Sequence, residues 1–355
     1  MTIRKEHLRF LLPIGTALVM VAACGILELV SRSLIRGQIH QQAAERWASD
    51  GSYAMVSVFA AEDSGFDEAS ADALGEQVDA ALKEASLKAE HEDVPLWYRA
   101  WSVPFGTVSV NGATRTTATA AVTAVGGSFF TMHPMTLVDG VYLTENDLMH
   151  DRIVIDTTLA WQLFGSPHVS GQEVRINDQT YLIAGVVRPE KTAAYKAAYS
   201  DRPCLYIDYA LYRDWIVADG GTPRIACYEA VLPCPVRGFA RKPFDEALSE
   251  QTGITVVQNT GRYSLMQRWK TLRGLRRMVM QDTGVAYPYW ENAARLTAYD
   301  TAVLFGWQIA LLVWPVIVLI VLFWKGYRRL ERFLTARREA RKRRYRTPLD
   351  ELEQY

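Results

Sequence analysis

Residues 303–324 (VLFGWQIALLVWPVIVLIVLFW) form an apolar run of 22 residues in which Gln308 is the one strongly polar side chain. At about 1.5 Å per residue, a helix of that length crosses a hydrocarbon layer of roughly 30 Å and satisfies its own backbone hydrogen bonds on the way. The core helix of a soluble protein rarely stays apolar on every face for so long. The run is therefore read as a membrane span, and Pro315 in its middle predicts a kink rather than a break.

The next segment sets the orientation. Residues 325–346 hold eleven Lys/Arg against Glu331 and Glu339. Such a run directly after a span belongs on the cytoplasmic side, so the helix runs outside to inside and the chain before it lies outside. A basic tail at the membrane also attracts anionic lipid. Without a regular interleaving of aromatics to stack bases, no nucleic acid is expected as a partner. The formal net charge of zero hides this asymmetry: residues 37–300 carry 23 Lys/Arg against 32 Asp/Glu, a net of −9.

A second apolar run, residues 10–27 (FLLPIGTALVMVAACGIL), follows a short basic start with Arg4, Lys5 and Arg9. Three readings compete: a cleaved signal peptide, a lipobox at residues 21–24 with Cys24 bearing lipid, and an uncleaved membrane helix. The third is preferred because residues 28–47 continue at helical spacing (Leu34, Ile35, Ile39, Ala43, Trp47) rather than as a polar tether. Two spans put both termini in the cytoplasm and residues 37–300 outside the cell membrane. Gly15, Ala22, Ala23 and Gly25 would let the spans pack closely.

The expected division is a cytoplasmic N-terminus (1–9), a first span (10–30), a stalk helix (31–50), an exterior domain (51–260), a basic amphipathic segment (261–300), a second span (301–324) and a basic cytoplasmic tail (325–355). The exterior part reads as mixed α+β. Strands are predicted at 53–59, 96–103, 153–155, 174–176, 181–187, 205–207, 228–232 and 254–257, and helices at 67–90, 158–164, 209–217 and 243–251. Hairpins are predicted at Asn111-Gly112 and Asn177-Asp178, and Gly126-Gly127 as a turn. Residues 263–281 predict a basic helix with Leu265, Trp269, Leu272, Leu275 and Val279 on one stripe, beside Arg268, Arg273, Arg276 and Arg277. Two placements are open to it. It packs on the domain with a solvated basic face, or it lies at the outer headgroups beside the aromatic residues 287–290.

Chemistry is not announced. The sequence holds no GxxxxGK[ST], HExxH, CxxC or GxSxG pattern, so no catalytic, cofactor-binding or metal-binding residue is assigned and no cofactor is expected. Glu145, Asp147, His150 and Asp151 are read as a solvated acidic loop rather than a metal site. Cys204, Cys227 and Cys234 leave two alternatives, one disulfide from Cys204 to either of the others, or none.

Residues 123–139 with Gly140, and residues 153–190, resemble the periplasmic core domain of the MacB-type ABC permeases, a family that includes FtsX and the lipoprotein-release permeases. Phe129, Phe130, Gly140, Ala160, Leu163, Phe164, Gly165, Gly171, Asn177 and Gly185 stand at its marked positions. The resemblance implies a two-lobed α+β exterior domain flanked by membrane helices. It further implies a non-catalytic, permease-like subunit that works beside an ABC ATPase and a full-length permease, and that forms oligomers with itself or with other chains. Full-length members carry three spans after this domain, so the two spans here are expected to mark an accessory or truncated form. The alternative is a membrane-anchored exterior sensor or binding protein with no ATPase partner. Cargo, partner identity and transport direction are not written in the sequence.

Overall fold

The computed structural model describes residues 5–89, 94–112, 116–144, 147, 149–198, 202–275 and 284–350, with the side chains of 11–341 among them. The chain divides into two compact units, Leu34–Asp300 and, separately, Met1–Ser33 with Thr301–Tyr355.

The larger unit is built on one ten-stranded sheet. Its strands are β1 (Tyr53–Ala60), β2 (Tyr98–Gly112), β3 (Thr117–Gly127), β4 (Thr136–Gly140), β5 (Arg152–Asp156), β6 (Glu173–Ile176), β7 (Gln179–Arg188), β8 (Cys204–Asp208), β9 (Cys227–Pro233) and β10 (Ile254–Gln258). The order is β10-β1-β9-β2-β3-β8-β5-β7-β4, with β6 pairing β2 and β7. Only β3/β8 and β5/β7 run parallel. The sheet thus continues through both expected lobes.

β1 explains the layering. Its residues alternate between two cores: Ala54, Val56, Val58 and Ala60 face one, Met55 and Phe59 the other. A strand covered on both faces reads as a nearly continuous apolar run, as YAMVSVFA does. The first core is closed by α3 (Glu68–Glu84), α5 (Thr157–Phe164), α7 (Tyr209–Ala218) and α8 (Lys242–Ala247). The second is closed by α2 (Ala43–Trp47), α4 (Phe129–Met132), α6 (Ala193–Ala198) and the residues around Trp290. Asp67, Asp156 and Asp208 cap α3, α5 and α7 by accepting from the backbone N–H of Ser70, Leu159 and Ala210.

The Asn177-Asp178 hairpin forms as predicted, with φ of +50° and +63° at its two central residues. The first hairpin differs. Asn111 still pairs with Thr117, so the turn comes after Gly112, and residues 113–115 lie outside the described residues. Gly126 and Gly127 are not a turn but the last paired positions of β3, because the Trp101 indole fills the space a Cβ at Gly126 would need. Two of the glycines shared with the MacB-type pattern have a steric cause. Gly140 and Gly185 pair across β4 and β7, and a Cβ on either would come within 2.2 Å of a backbone carbonyl.

Two helical segments depart from expectation. The stalk is not one helix: α1 (Lys5–Arg36) stops and a 3-10 turn (Ile39–Gln41) intervenes before α2. The break turns His40 and Gln41 into the interior, and the Gln42 amide caps the Ile35 carbonyl at 2.7 Å. The basic helix does not take the first of its two open placements, with its apolar stripe packed on the domain. α9 (Leu265–Arg273) buries Arg268 and leaves Leu265, Met266 and Trp269 exposed. Val279 and the two arginines before it lie outside the described residues.

The smaller unit consists of α1 up to Ser33 and of α10 (Tyr289–Asp350) from Thr301 on. Leu11–Arg36 and Tyr289–Arg341 are both long and apolar enough to cross a membrane. α10 runs through Pro315 and on through the basic tail without interruption. Ala17 and Ser31 are buried on α1 with the half-buried Cys24 midway between them, a seven-residue spacing that the buried Gln308 and Pro315 repeat on α10. Such a stripe suits left-handed helix pairing. Gln308 donates to the Cys24 carbonyl at 3.2 Å, and Trp314 donates to the Thr16 hydroxyl at 2.9 Å. At Gly15 and Gly25, expected at the helix contact, an added Cβ would meet nothing from the other helix within 4 Å.

Candidate functional site

The segments that lead into α1 and α10 meet on the second core of the sheet. Ala43 and Ala44 from the one, and Trp290 and Ala293 from the other, pack with Met55, Phe59, Phe129, Met132 and Val231. A chain of buried polar groups runs through this apolar junction.

Ser57 on β1 stands directly opposite Glu229 on β9. Its hydroxyl donates to Glu229 Oε1 at 2.7 Å and accepts from Asn259 Nδ2 at 2.7 Å. The other carboxylate oxygen, Oε2, takes a short contact from His133 Nε2. His133 Nδ1 faces His40 Nδ1 at 3.3 Å, a contact that holds one proton between the two rings. Trp290 lies over His133 with ring centroids 4.6 Å apart, and Tyr195 of α6 meets His40 edge-on at 5.2 Å. Ser57, His133, Glu229 and His40 are all 1% exposed or less.

A second lock sits beside the first. Glu291, fully buried near the start of α10, receives Arg262 in a fork at 2.6 and 2.8 Å and Arg295 Nε at 2.8 Å. Paired donors to one carboxylate fix geometry as well as charge. Arg46 donates to the Met132 carbonyl at 2.8 Å, tying α2 to α4.

Serine, histidine and glutamate thus come together, but in an order that does not activate a nucleophile. The Ser57 proton points to the carboxylate, and the histidine nitrogen nearest that carboxylate is spent on it as well. A nucleophilic serine needs a base at its own oxygen and access to substrate. What this arrangement does is hold two chain segments to one sheet.

Burial first, then the charges of His133 and Arg46, hold His40 well below its ordinary value of 6.5. Unfolded His40 titrates normally, so the unfolded state binds more protons as the pH drops. The junction's contribution to stability is full above pH 6.5 and declines as the pH falls below it. The melting midpoint of the full chain is expected to fall between pH 7.5 and 5.5, and more weakly in His40→Phe. Parallel pH curves for the two proteins would contradict this.

The described residues of the acidic loop pair with residues outside it. Asp147 pairs with Arg152 at 3.5 Å and His150 with Asp208 at 3.3 Å, while Glu145 lies outside the described residues. Among the described residues no group of three His, Cys, Asp or Glu side chains is placed to hold a metal. No disulfide forms from Cys204, Cys227 or Cys234. Cys204 and Cys227 lie on β8 and β9, three strand spacings or ~14 Å apart, against a Cα reach of about 7 Å for a disulfide. The junction residues were missed in the sequence, yet a signal was there. Ser57 and Glu229 are the polar intruders in strands that are otherwise apolar, and a carboxylate in such a strand needs a buried partner.

The sequence model of the MacB-like periplasmic core domain matches residues 18–226, more than half of the chain. The chain belongs to this family. This MacB-like protein is also similar to the periplasmic region of MacB from Actinobacillus actinomycetemcomitans, at 16% identity over 64% of this chain and 94% of that one, with a TM-score of 0.39. It is similar to the extracellular domain of the noncanonic ABC-type transporter YknZ from Gram-positive bacteria, at 12% identity over 57% and 99%, with a TM-score of 0.37. No curated protein matches it. The MacB-like chain is a membrane protein of the permease type, with an extracytoplasmic domain flanked by two apolar helices.

Proposed function

We propose that this MacB-like chain is a non-catalytic, permease-like subunit of an ABC assembly, and that its exterior domain takes up motion driven by a partner ATPase. One observation carries the reading. The segments continuing into both apolar helices are held at a single sheet by buried polar groups, directly at His40–His133–Glu229 and, through the turn after β10, at Arg262–Glu291–Arg295. A junction of this kind is rigid because each buried group has little alternative to its partner. It passes displacement of either helix to the sheet rather than absorbing it.

The basic tail supports a cytoplasmic end that lies against anionic lipid. The exposed Leu265, Met266 and Trp269 of α9, beside Lys270 and Arg273, form a face of the type that rests at lipid headgroups. The partners are an ABC ATPase and a full-length permease. The full chain, tagged and extracted in mild detergent, is expected to bring both with it, identified by mass spectrometry. Recovery of the chain alone, or only as a homo-oligomer, would overturn the reading in favour of a free-standing sensor.

A further inference from the structure

Away from the junction, a cavity of about 610 Å³ opens between α5, α6 and the end of β7. Arg188, Lys191, Lys196 and Arg202 all line it, together with Thr157, Thr158 and Trp161. We propose that this cavity binds a phosphate-bearing anionic ligand.

Four cations converge here in a domain whose net charge is −9. Elsewhere in that domain Arg99, Arg213, Arg224, Arg241, Arg262 and Arg295 each meet a carboxylate. Among the described residues none of the four cavity cations does. Among the described residues Glu190 is the one carboxylate in the lining, so the four cations outnumber it. Four exposed cations around one opening raise the local positive potential, which attracts an anion. Two arginines supply planar forks suited to phosphate oxygens, and two lysines supply point charges.

The helix dipole is not what recommends the site, since Asp156 already caps α5. The volume exceeds what one phosphate needs and falls within the range of small-molecule pockets. Trp161, 58% exposed, offers a flat apolar wall for the group esterified to the phosphate. The ligand is therefore a phosphate ester, either free or as a lipid headgroup. Lys196 belongs to α6, whose Tyr195 packs on His40, so an occupied cavity bears on a helix that also lines the junction.

The test uses the full chain in non-ionic detergent, titrated with glycerol phosphate, with inorganic phosphate and with dihexanoyl phosphatidylglycerol. Lys191→Glu/Arg202→Glu is compared with Lys83→Glu/Arg237→Glu, which changes the net charge equally at exposed sites outside the cavity. Surface substitutions of this kind leave the fold intact, and an unchanged melting midpoint checks it. Binding about tenfold weaker in the cavity variant than in the control, and weaker at high salt, is the expected result. If glycerol phosphate shows this difference, the ligand is a free phosphate ester. If only the phosphatidylglycerol shows it, the ligand is a lipid headgroup. Equal affinity in the two variants, or no binding of any probe to the wild type, would overturn the proposal.

Discussion

Glu229→Ala is expected to destabilise the exterior domain by about 2–6 kcal/mol, because two buried donors lose their shared acceptor. The carboxylate is 1% exposed and accepts from both Ser57 and His133. Without it, two buried donors lose their acceptor, at about 1–3 kcal/mol for each unsatisfied group, and a void opens between β1 and β9. Thermal unfolding of the full chain in detergent measures the effect. Glu229→Gln keeps the volume and one acceptor, so its loss should be smaller. A change in Glu229→Ala below about 0.5 kcal/mol, as for a surface site, would mean that the polar chain contributes nothing to the junction.

The second large effect belongs to Glu291. It is fully buried, and it balances Arg262, whose side chain is 13% exposed, as well as Arg295. Glu291→Ala strands a buried guanidinium and should cost about 3–5 kcal/mol. The double variant Arg262→Met/Glu291→Leu should recover much of that loss, because a buried ion pair replaced by apolar side chains of similar size is often neutral. The two locks predict different local effects. Loss of Glu291 should speed hydrogen exchange first at the start of α10, whereas loss of Glu229 should do so along β1 and β9. Independent and additive losses at both sites, with no recovery in the double variant, would contradict the pairing.

Much of this architecture was legible from local rules. The apolar runs, the Asn177-Asp178 turn and the aspartate-capped helices depend on neighbours in sequence, and the structure keeps them. The glycine and phenylalanine positions of the MacB-type pattern were legible too, although the steric cause of Gly140 and Gly185 appears only when β4 lies beside β7. What failed depends on distant contacts. Periodicity marks a stripe on α9 but not the side it faces, so two placements stayed open, and the one packed on the domain fails because Leu265 and Trp269 are exposed and Arg268 is buried. The stalk reads as one helix until the burial of His40 makes a break worthwhile. α4, β4 and α6 are too short to show a period. The junction itself joins positions 40, 57, 133, 229 and 291, whose proximity no local spacing reveals.

If the exterior domain takes up motion driven by a partner ATPase, the junction is loaded differently in the two nucleotide states, and load on its hydrogen bonds alters their local opening. Hydrogen exchange of the purified assembly, compared between ATP-bound and ADP-bound states, tests it most directly. The expected result is a nucleotide-dependent change in protection at β1, at residues 129–133 and at the start of α10. An assembly that hydrolyses ATP while these segments exchange identically in both states would contradict the account.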